Sequence, residues 1–156
     1  MRLSNRLLAA PLCLVFLLAS APAQADSVCF LTVLKLRDSG YPFQHNMVIS
    51  NSDDWRTIWE QIFSNTSQKP PVPEIDFTRR TLVCVFQGTQ PSTGFEISIQ
   101  EITETDTSLE VAVKAFAPGR GCGVLDKLTR PLDIVEIAKT VKQVVFQVKN
   151  KIRKCQ

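Results

Sequence analysis

The sequence predicts a mainly β domain of the α+β class: an antiparallel sandwich or half-open barrel carrying one amphipathic helix at about residues 52–63. Three observations predict it. Between residues 95 and 114 apolar and polar side chains alternate, with Phe95, Ile97 and Ile99 against Glu96, Ser98 and Gln100, then Leu109, Val111 and Val113 against Glu110 and Lys114. A period of two with one apolar set is the pattern of antiparallel strands buried on one face. Strand-like runs succeed one another at 82–87, 95–103, 109–116, 132–137 and 144–148, separated by polar or Gly- and Pro-containing breaks. One stretch has the helical period instead: Trp55, Ile58, Trp59 and Ile62 fall at i, i+3, i+4 and i+7.

Taken in order, the chain opens with Arg2 and Arg6, an apolar stretch over residues 7–18, and Ala23-Gln24-Ala25 before Asp26. A basic start, a short apolar centre and a small-x-small site make a secretory signal peptide cleaved after Ala25, too short in its apolar part to span a bilayer comfortably. Cys13 follows Leu12 rather than the small residue of a lipoprotein signal. The reading is therefore a secreted or periplasmic protein with no stable membrane anchor after cleavage, its residues 26–156 forming a single β-rich domain.

Residues 28–36 alternate as a strand that Gly40-Tyr41-Pro42 breaks, and residues 47–49 suit a short second one. Ser50-Asn51-Ser52 is a helix-start signal, and Asp53 and Asp54 in the first turn complement the helix dipole. Two tryptophans on one helical stripe read as core. Residues 64–73 are a polar, proline-rich connection. The loop Gly88-Thr89-Gln90-Pro91-Ser92-Thr93-Gly94-Phe95 lies between two strand patterns and reads as a hairpin turn, as does Glu104-Thr105-Asp106-Thr107.

Charge excludes some partners. The 18 Lys and Arg stand against 15 Asp and Glu, and without Arg2 and Arg6 the balance is about +1, so no global field favours nucleic acid or a membrane surface. The basic residues Lys149, Lys151, Arg153 and Lys154 read as a solvated, frayed end.

Four cysteines follow the signal: Cys29, Cys84, Cys122 and Cys155. In an exported chain an even number suggests disulfides. Cys29 opens the first strand pattern and Cys155 nearly ends the chain, so Cys29–Cys155 is the expected pair. Cys84 is either a small core residue or the partner of Cys122. No C-x-x-C pair occurs, and His45 alone could add a nitrogen ligand, so no metal site is expected.

Catalytic chemistry is sparse. His45 is the one histidine, in a loop-like stretch with no serine in a nucleophile elbow. The carboxylate pairs Asp53 with Asp54 and Glu101 with Glu104 are accounted for by helix-start and turn roles. Gly119-Arg120-Gly121-Cys122-Gly123 is glycine-rich but lies between strands, as a bent connection or bulge. No catalytic residue and no cofactor is expected.

The order Ile75-Asp76-Phe77, Val83-Cys84-Val85-Phe86-Gln87-Gly88, Pro91-Ser92-Thr93-Gly94-Phe95, Pro118-Gly119, Cys122 and Thr129-Arg130-Pro131-Leu132-Asp133 resembles the C-terminal domain of the PrcB family of protease-complex subunits, over residues 74–149. The resemblance implies an exported, non-catalytic accessory subunit of an envelope or secreted protease complex, acting through protein–protein contact. Ser92-Thr93-Gly94-Phe95 replaces the threonine, two glycines and tyrosine more usual there, and Leu132 stands where an aromatic is common. Rigid presentation of the turn by the sheet makes Thr89, Pro91, Ser92, Thr93 and Gly94 the candidate partner-binding residues, joined by Arg120 and Arg130. The expected partner is a protein, a secreted or periplasmic peptidase.

Two alternatives differ in class. Pro91-Ser92-Thr93-Gly94-Phe95 is similar to a loop of chagasin-like inhibitors of cysteine proteases, but residues 124–129 between Gly123 and Arg130 are too few for the two strands such an inhibitor needs there. A small-ligand or glycan binder would use a pocket between the sheet and the helix, and would require an exposed Trp55 or Trp59 face.

Overall fold

In the computed structural model, which describes residues 26–155, eight strands and one helix form three layers. The strands are β1 (Asp26–Ser27), β2 (Leu31–Leu36), β3 (Gln44–Ile49), β4 (Arg80–Gln87), β5 (Glu96–Glu104), β6 (Ser108–Pro118), β7 (Leu132–Ala138) and β8 (Gln143–Arg153), with α1 (Ser52–Ile62) between β3 and β4. They make two four-stranded sheets, ordered β1-β5-β6-β8 and β2-β7-β4-β3. The expected β sandwich with one helix is present. The signal peptide, its cleavage after Ala25 and Cys13 lie outside the described residues. Among those residues no helix is long and apolar enough to cross a membrane.

Two cores share the β2-β7-β4-β3 sheet as a wall. Val83, Val85, Val135 and Ile137 point from it toward Ile97, Ile99, Val111 and Val113 of the other sheet. Leu82, Cys84, Phe86, Leu132 and Ile134 point the opposite way, onto Trp55, Trp59 and Ile62 of α1. Strands buried on both faces need apolar residues at consecutive positions, so residues 82–86 and 134–135 show no alternation. The helix begins where the sequence places it: Asn51 is extended, and its side-chain oxygen accepts from the Asp54 N–H at 2.9 Å. Both tryptophans are buried, and the proline-rich connection satisfies their indoles, Trp55 donating to Pro73 O at 3.0 Å and Trp59 to Pro70 O at 2.9 Å.

The structure corrects several expectations. Residues 28–36 are not one strand. The Val28 N–H still donates to Ile102 O of β5, whereas residues from Leu31 pair with β7 of the other sheet, so this alternating run changes sheet midway. Residues 88–95 are not a hairpin turn either, for β4 already pairs with β3 and β7 on its two edges. The chain must cross to the other sheet before β5 begins. The 104–107 turn does join an antiparallel pair, β5 with β6, and Thr105 and Ser108 close it through their backbone groups. The β8 strand lies parallel to β6 from Ser108↔Gln143 to Pro118↔Arg153, because β7, in the opposite sheet, intervenes in the chain. That pairing carries β8 well past residue 148. The basic end is therefore ordered strand, with Arg153 2.9 Å from Glu96 and over the Phe116 ring; Lys149 and Lys151 on an edge strand also discourage further pairing. His45 lies on β3, exposed, rather than in a loop.

The disulfide differs as well. Cys122 bonds to Cys155, Cα–Cα 5.0 Å, while Cys29 is free and exposed and Cys84 is free and buried. Cys29 follows the edge strand β1 and Cys155 follows β8 on the far edge, with β5 and β6 between. Strand spacing alone separates them laterally by about 14 Å. Cys29 also lies beside Ile102 while Cys155 lies beyond Arg153, and that offset of about eight residues, on the order of 25 Å along the strands, puts them far beyond a disulfide's reach. The parallel register instead ends β6 and β8 side by side, with the Gly119 N–H donating to Arg153 O, so Cys122 and Cys155 meet. Closing their 33-residue separation stabilises by roughly 3–4 kcal/mol in the chain-entropy account. Cys84 points into the helix-side core, where burial pushes its thiol pKa well up. It cannot reach Cys122.

A buried carboxylate ties the sheets across their core. The β5–β6 register slips between Ile99 and Glu101, and the Ile99 N–H donates to Asp133 Oδ2 of β7 at 2.9 Å. Asp133 Oδ1 is buried without a protein partner. Burial raises the carboxyl pKa, and the Ile99 N–H and Lys35 offset part of the rise. A carboxyl whose folded pKa is raised favours the folded state most below its ordinary value, and that contribution is lost as pH rises through the raised value. Asp133→Asn keeps an acceptor for Ile99 without the titration. The unfolding free energy of the native protein minus that of the variant is expected to fall between about pH 3 and neutrality. Urea unfolding at a series of pH values checks this, and a flat difference refutes it.

Candidate functional site

Three connections meet at one end of the sandwich: residues 37–43 between β2 and β3, residues 88–95 between β4 and β5, and residues 119–131 between β6 and β7. The register explains the meeting, for Leu36 pairs with Leu132, Phe86 with Leu132, Gln44 with Gln87 and Glu96 with Phe116. Every one of these pairs stands at the same end.

Backbone hydrogen bonds dock the connections on one another. Gln90 and Thr129 form an isolated antiparallel bridge, Gln90 N–H to Thr129 O at 2.8 Å and Thr129 N–H to Gln90 O at 3.0 Å. Thr93 N–H donates to Leu125 O at 3.0 Å, and Leu125 N–H returns a bond to Thr93 Oγ1 at 2.8 Å. Thr129 Oγ1 donates to Ser92 O at 2.8 Å. On the other side Thr89 gives both its N–H and its hydroxyl to Pro42 O. Gly88 permits that approach: its φ is +72°, and a Cβ there would stand 2.7 Å from Gln44 N. Gly94, at φ +92°, lies against Pro118 and Val124 in the same way.

The sequence-derived candidates divide accordingly. Thr89, Pro91, Ser92, Thr93 and Gly94 come together in one ridge, with Thr89 and Pro91 exposed and the other three half-buried. Ser92, Thr93 and Gly94 hold the ridge to the 119–131 connection rather than point outward. Arg130 also faces inward: Nη1 donates to Ser39 O at 3.3 Å, and Ser39 Oγ donates to Arg130 O at 2.9 Å. It pins residues 37–43. Arg120 stands exposed beside the Cys122–Cys155 disulfide, away from the ridge's hydrogen bonds.

Sequence reasoning passed over the most prominent surface here. Phe43, Leu125 and Leu128 are 66%, 70% and 54% exposed. Thr93 holds Leu125 from one side, and Lys127 reaches Asp38 of the 37–43 connection at 3.1 Å on the other. Phe43 follows the Pro42 carbonyl that Thr89 binds and stands edge-on to Tyr41. A signal existed in Val124, Leu125 and Leu128: three large apolar residues in a stretch with no strand-like alternation.

A hollow of about 610 Å³ lies elsewhere, between the start of α1 and residues 72–77. Trp55 lines it yet is 2% exposed with its indole already bonded, so the tryptophan face that a glycan or small-ligand reading requires is not there. Among the described residues no group of three or more His, Cys, Asp or Glu is placed to hold a metal. Gly123 and Arg130, between which such an inhibitor needs two strands, lie on one connection between β6 and β7 with no strand between them.

Residues 81–138, from the start of β4 to the end of β7, match the family model described as PrcB C-terminal. The match bears out the resemblance read from the sequence motifs, and it takes in both the ridge and the 119–131 connection. No curated protein and no solved structure matches the chain.

If the ridge depends on Gly94, a branched side chain there must strain the backbone and displace Pro118 or Val124, whose atoms a Cβ would meet at 3.1 Å. Gly94→Val is expected to destabilise by roughly 1–3 kcal/mol, whereas Pro91→Ala, at an exposed position, stays within about 0.5 kcal/mol. Denaturant midpoints decide, and equal effects at the two positions would count against the docked ridge.

Proposed function

We propose, from the match of residues 81–138 to the PrcB C-terminal family, that this protein is an exported, non-catalytic accessory subunit of a protease complex. In this reading it binds its protein partner through the end of the sandwich. The observation that carries the proposal is the exposure of Phe43, Leu125 and Leu128 on connections that are hydrogen-bonded to one another. Pre-docked loops lose little entropy on binding, so burial of exposed apolar side chains converts more fully into affinity. The Cys122–Cys155 bridge holds the 119–131 connection to the end of β8, and a disulfide suits an oxidising compartment outside the cytoplasm. Export is inferred from residues 1–25, with cleavage after Ala25. The partner in this proposal is a secreted or periplasmic peptidase, with Thr89 and Pro91 at the rim of the contact and Arg120 beside it.

The test is capture of envelope proteins from the source organism on the immobilised protein, with bound material identified by mass spectrometry. Recovery of a peptidase at a saturable level is expected, reduced at least about tenfold by Leu125→Glu with Leu128→Glu. Because both side chains are already in solvent, the thermal midpoint of that double variant should move by only about 2 °C. Undiminished recovery by the double variant, or recovery of no peptidase, would overturn the proposal.

A further inference from the structure

A sheet edge is a row of backbone N–H and C=O groups without partners, and folded chains blunt such rows with short strands, bulges or charge. Three of the edges here are short or interrupted. The β1 edge has two residues, and beyond it the β5 ladder slips at Ile99, whose N–H Asp133 takes. The β2 strand shifts register between Thr32 and Leu34, and β3 stops after six residues, just before α1. The fourth edge, β8, is unlike them. It runs for eleven residues, about twice a usual strand, and contains neither proline nor glycine. Its register with β6 is unbroken from Ser108↔Gln143 to Pro118↔Arg153. Among the described residues no strand lies beyond it.

Which of its groups are free follows from the register. Arg153 O accepts from the Gly119 N–H at the end of β6, and successive residues of a strand turn their backbone groups to opposite sides. Gln147, Lys149 and Lys151 therefore bond β6, while Phe146, Val148, Asn150 and Ile152 present their N–H and C=O groups outward. The side chains alternate between faces as well. Val148 and Ile152 share the inward face of Val144 and Phe146, yet are 38% and 75% exposed. Lys149 and Lys151 stand exposed on the outer face, Lys149 beside Lys114 in the register. The carboxylates of Glu96 and Glu110, on the neighbouring strands, are engaged by Arg153 with Lys35 and by Gln147. Like charges side by side on paired strands repel. The lysines thus discourage a basic strand, or a neutral one that would cover their charge, and select for a strand of opposite sign.

We propose that the free edge of β8 is a docking site for an extended, acidic segment of a partner protein, added as one more strand of the sheet. Its backbone bonds the outward groups of Phe146, Val148, Asn150 and Ile152. Asp or Glu side chains lie over Lys149 and Lys151, and apolar ones on the opposite face cover Val148 and Ile152. This surface is separate from Leu125 and Leu128, so the site stands whether or not those residues meet a peptidase.

The experiment is a titration of the ¹⁵N-labelled protein with a blocked heptapeptide alternating valine and glutamate, and separately with one alternating valine and lysine. Expected with the glutamate peptide are saturable shifts along β8 and slowed hydrogen exchange at the Phe146, Val148, Asn150 and Ile152 amides. The lysine peptide should give neither. Lys149→Glu with Lys151→Glu, at two exposed positions, should reverse the preference, and the milder Lys149→Gln with Lys151→Gln should weaken glutamate-peptide binding at least about tenfold. Leu125→Glu with Leu128→Glu should leave it unchanged. Equal binding of the two peptides, shifts without added protection of those four amides, shifts confined to another surface, or no shifts at about 1 mM peptide would each overturn the proposal. So would concentration-dependent protection of the same amides without peptide, which would assign the edge to a second copy of the chain.

Discussion

The antiparallel pairing of β4 with β7 is the constraint from which the rest of the structure follows. These two strands form the centre of one sheet and are buried on both faces, so each must supply two apolar surfaces at once. One surface receives the second sheet and the other receives α1. Arg80↔Ala138 through Phe86↔Leu132 sets their register, and the Gln87 N–H extends it by donating to Pro131 O. Slipping it by one residue would turn either Gln87 with the rest of its face of β4, or Asp133 with its face of β7, toward the tryptophans. The strand pair thus also determines that the 88–95 and 119–131 connections start and end at one place.

What stands at that place is loop structure made stiff by local means. Ladder-like bonds between Gln90 and Thr129, and between Thr93 and Leu125, give the connections some of the character of a sheet. Glycines at 88 and 94 let the backbones approach, and the Cys122–Cys155 bridge anchors the far side. A surface built this way can expose Phe43, Leu125 and Leu128 without letting them collapse onto the core. The residues that look most like a recognition motif, Ser92-Thr93-Gly94 and Arg130, are spent on holding this frame. The exposed Leu125 and Leu128 stand on the connection that they hold.

Thr81, Gln87 and Asp133 are polar groups that the inter-sheet core admits, and each has an oxygen with no protein partner. None of these positions favours stability on its own account. Asp133 has a compensating role, since it satisfies the Ile99 N–H where the β5 ladder slips. Gln87 ties β4 to the other sheet, its Nε2 donating to Phe116 O at 3.2 Å.

By itself the sequence determined the local units. Alternation identified β5 and β6, the 3.6-residue period identified α1, and Asn51 with Asp53 and Asp54 located its start, because each of these is dictated by neighbours a few residues away. The motif order around residues 88–95 and 129–133 likewise carried the family likeness. Only the tertiary structure decided which strands pair, and there the local signals run out. A continuous apolar run such as Leu82-Val83-Cys84-Val85-Phe86 states that both faces are buried without saying against what, so the 88–95 crossover looked like a hairpin. The Cys122–Cys155 bridge and the ordering of the basic β8 end follow from the parallel register with β6, a contact between segments more than thirty residues apart. The exposure of Leu125 and Leu128 was hidden for the same reason: an apolar side chain reads as core until the packing of the whole chain shows that nothing covers it.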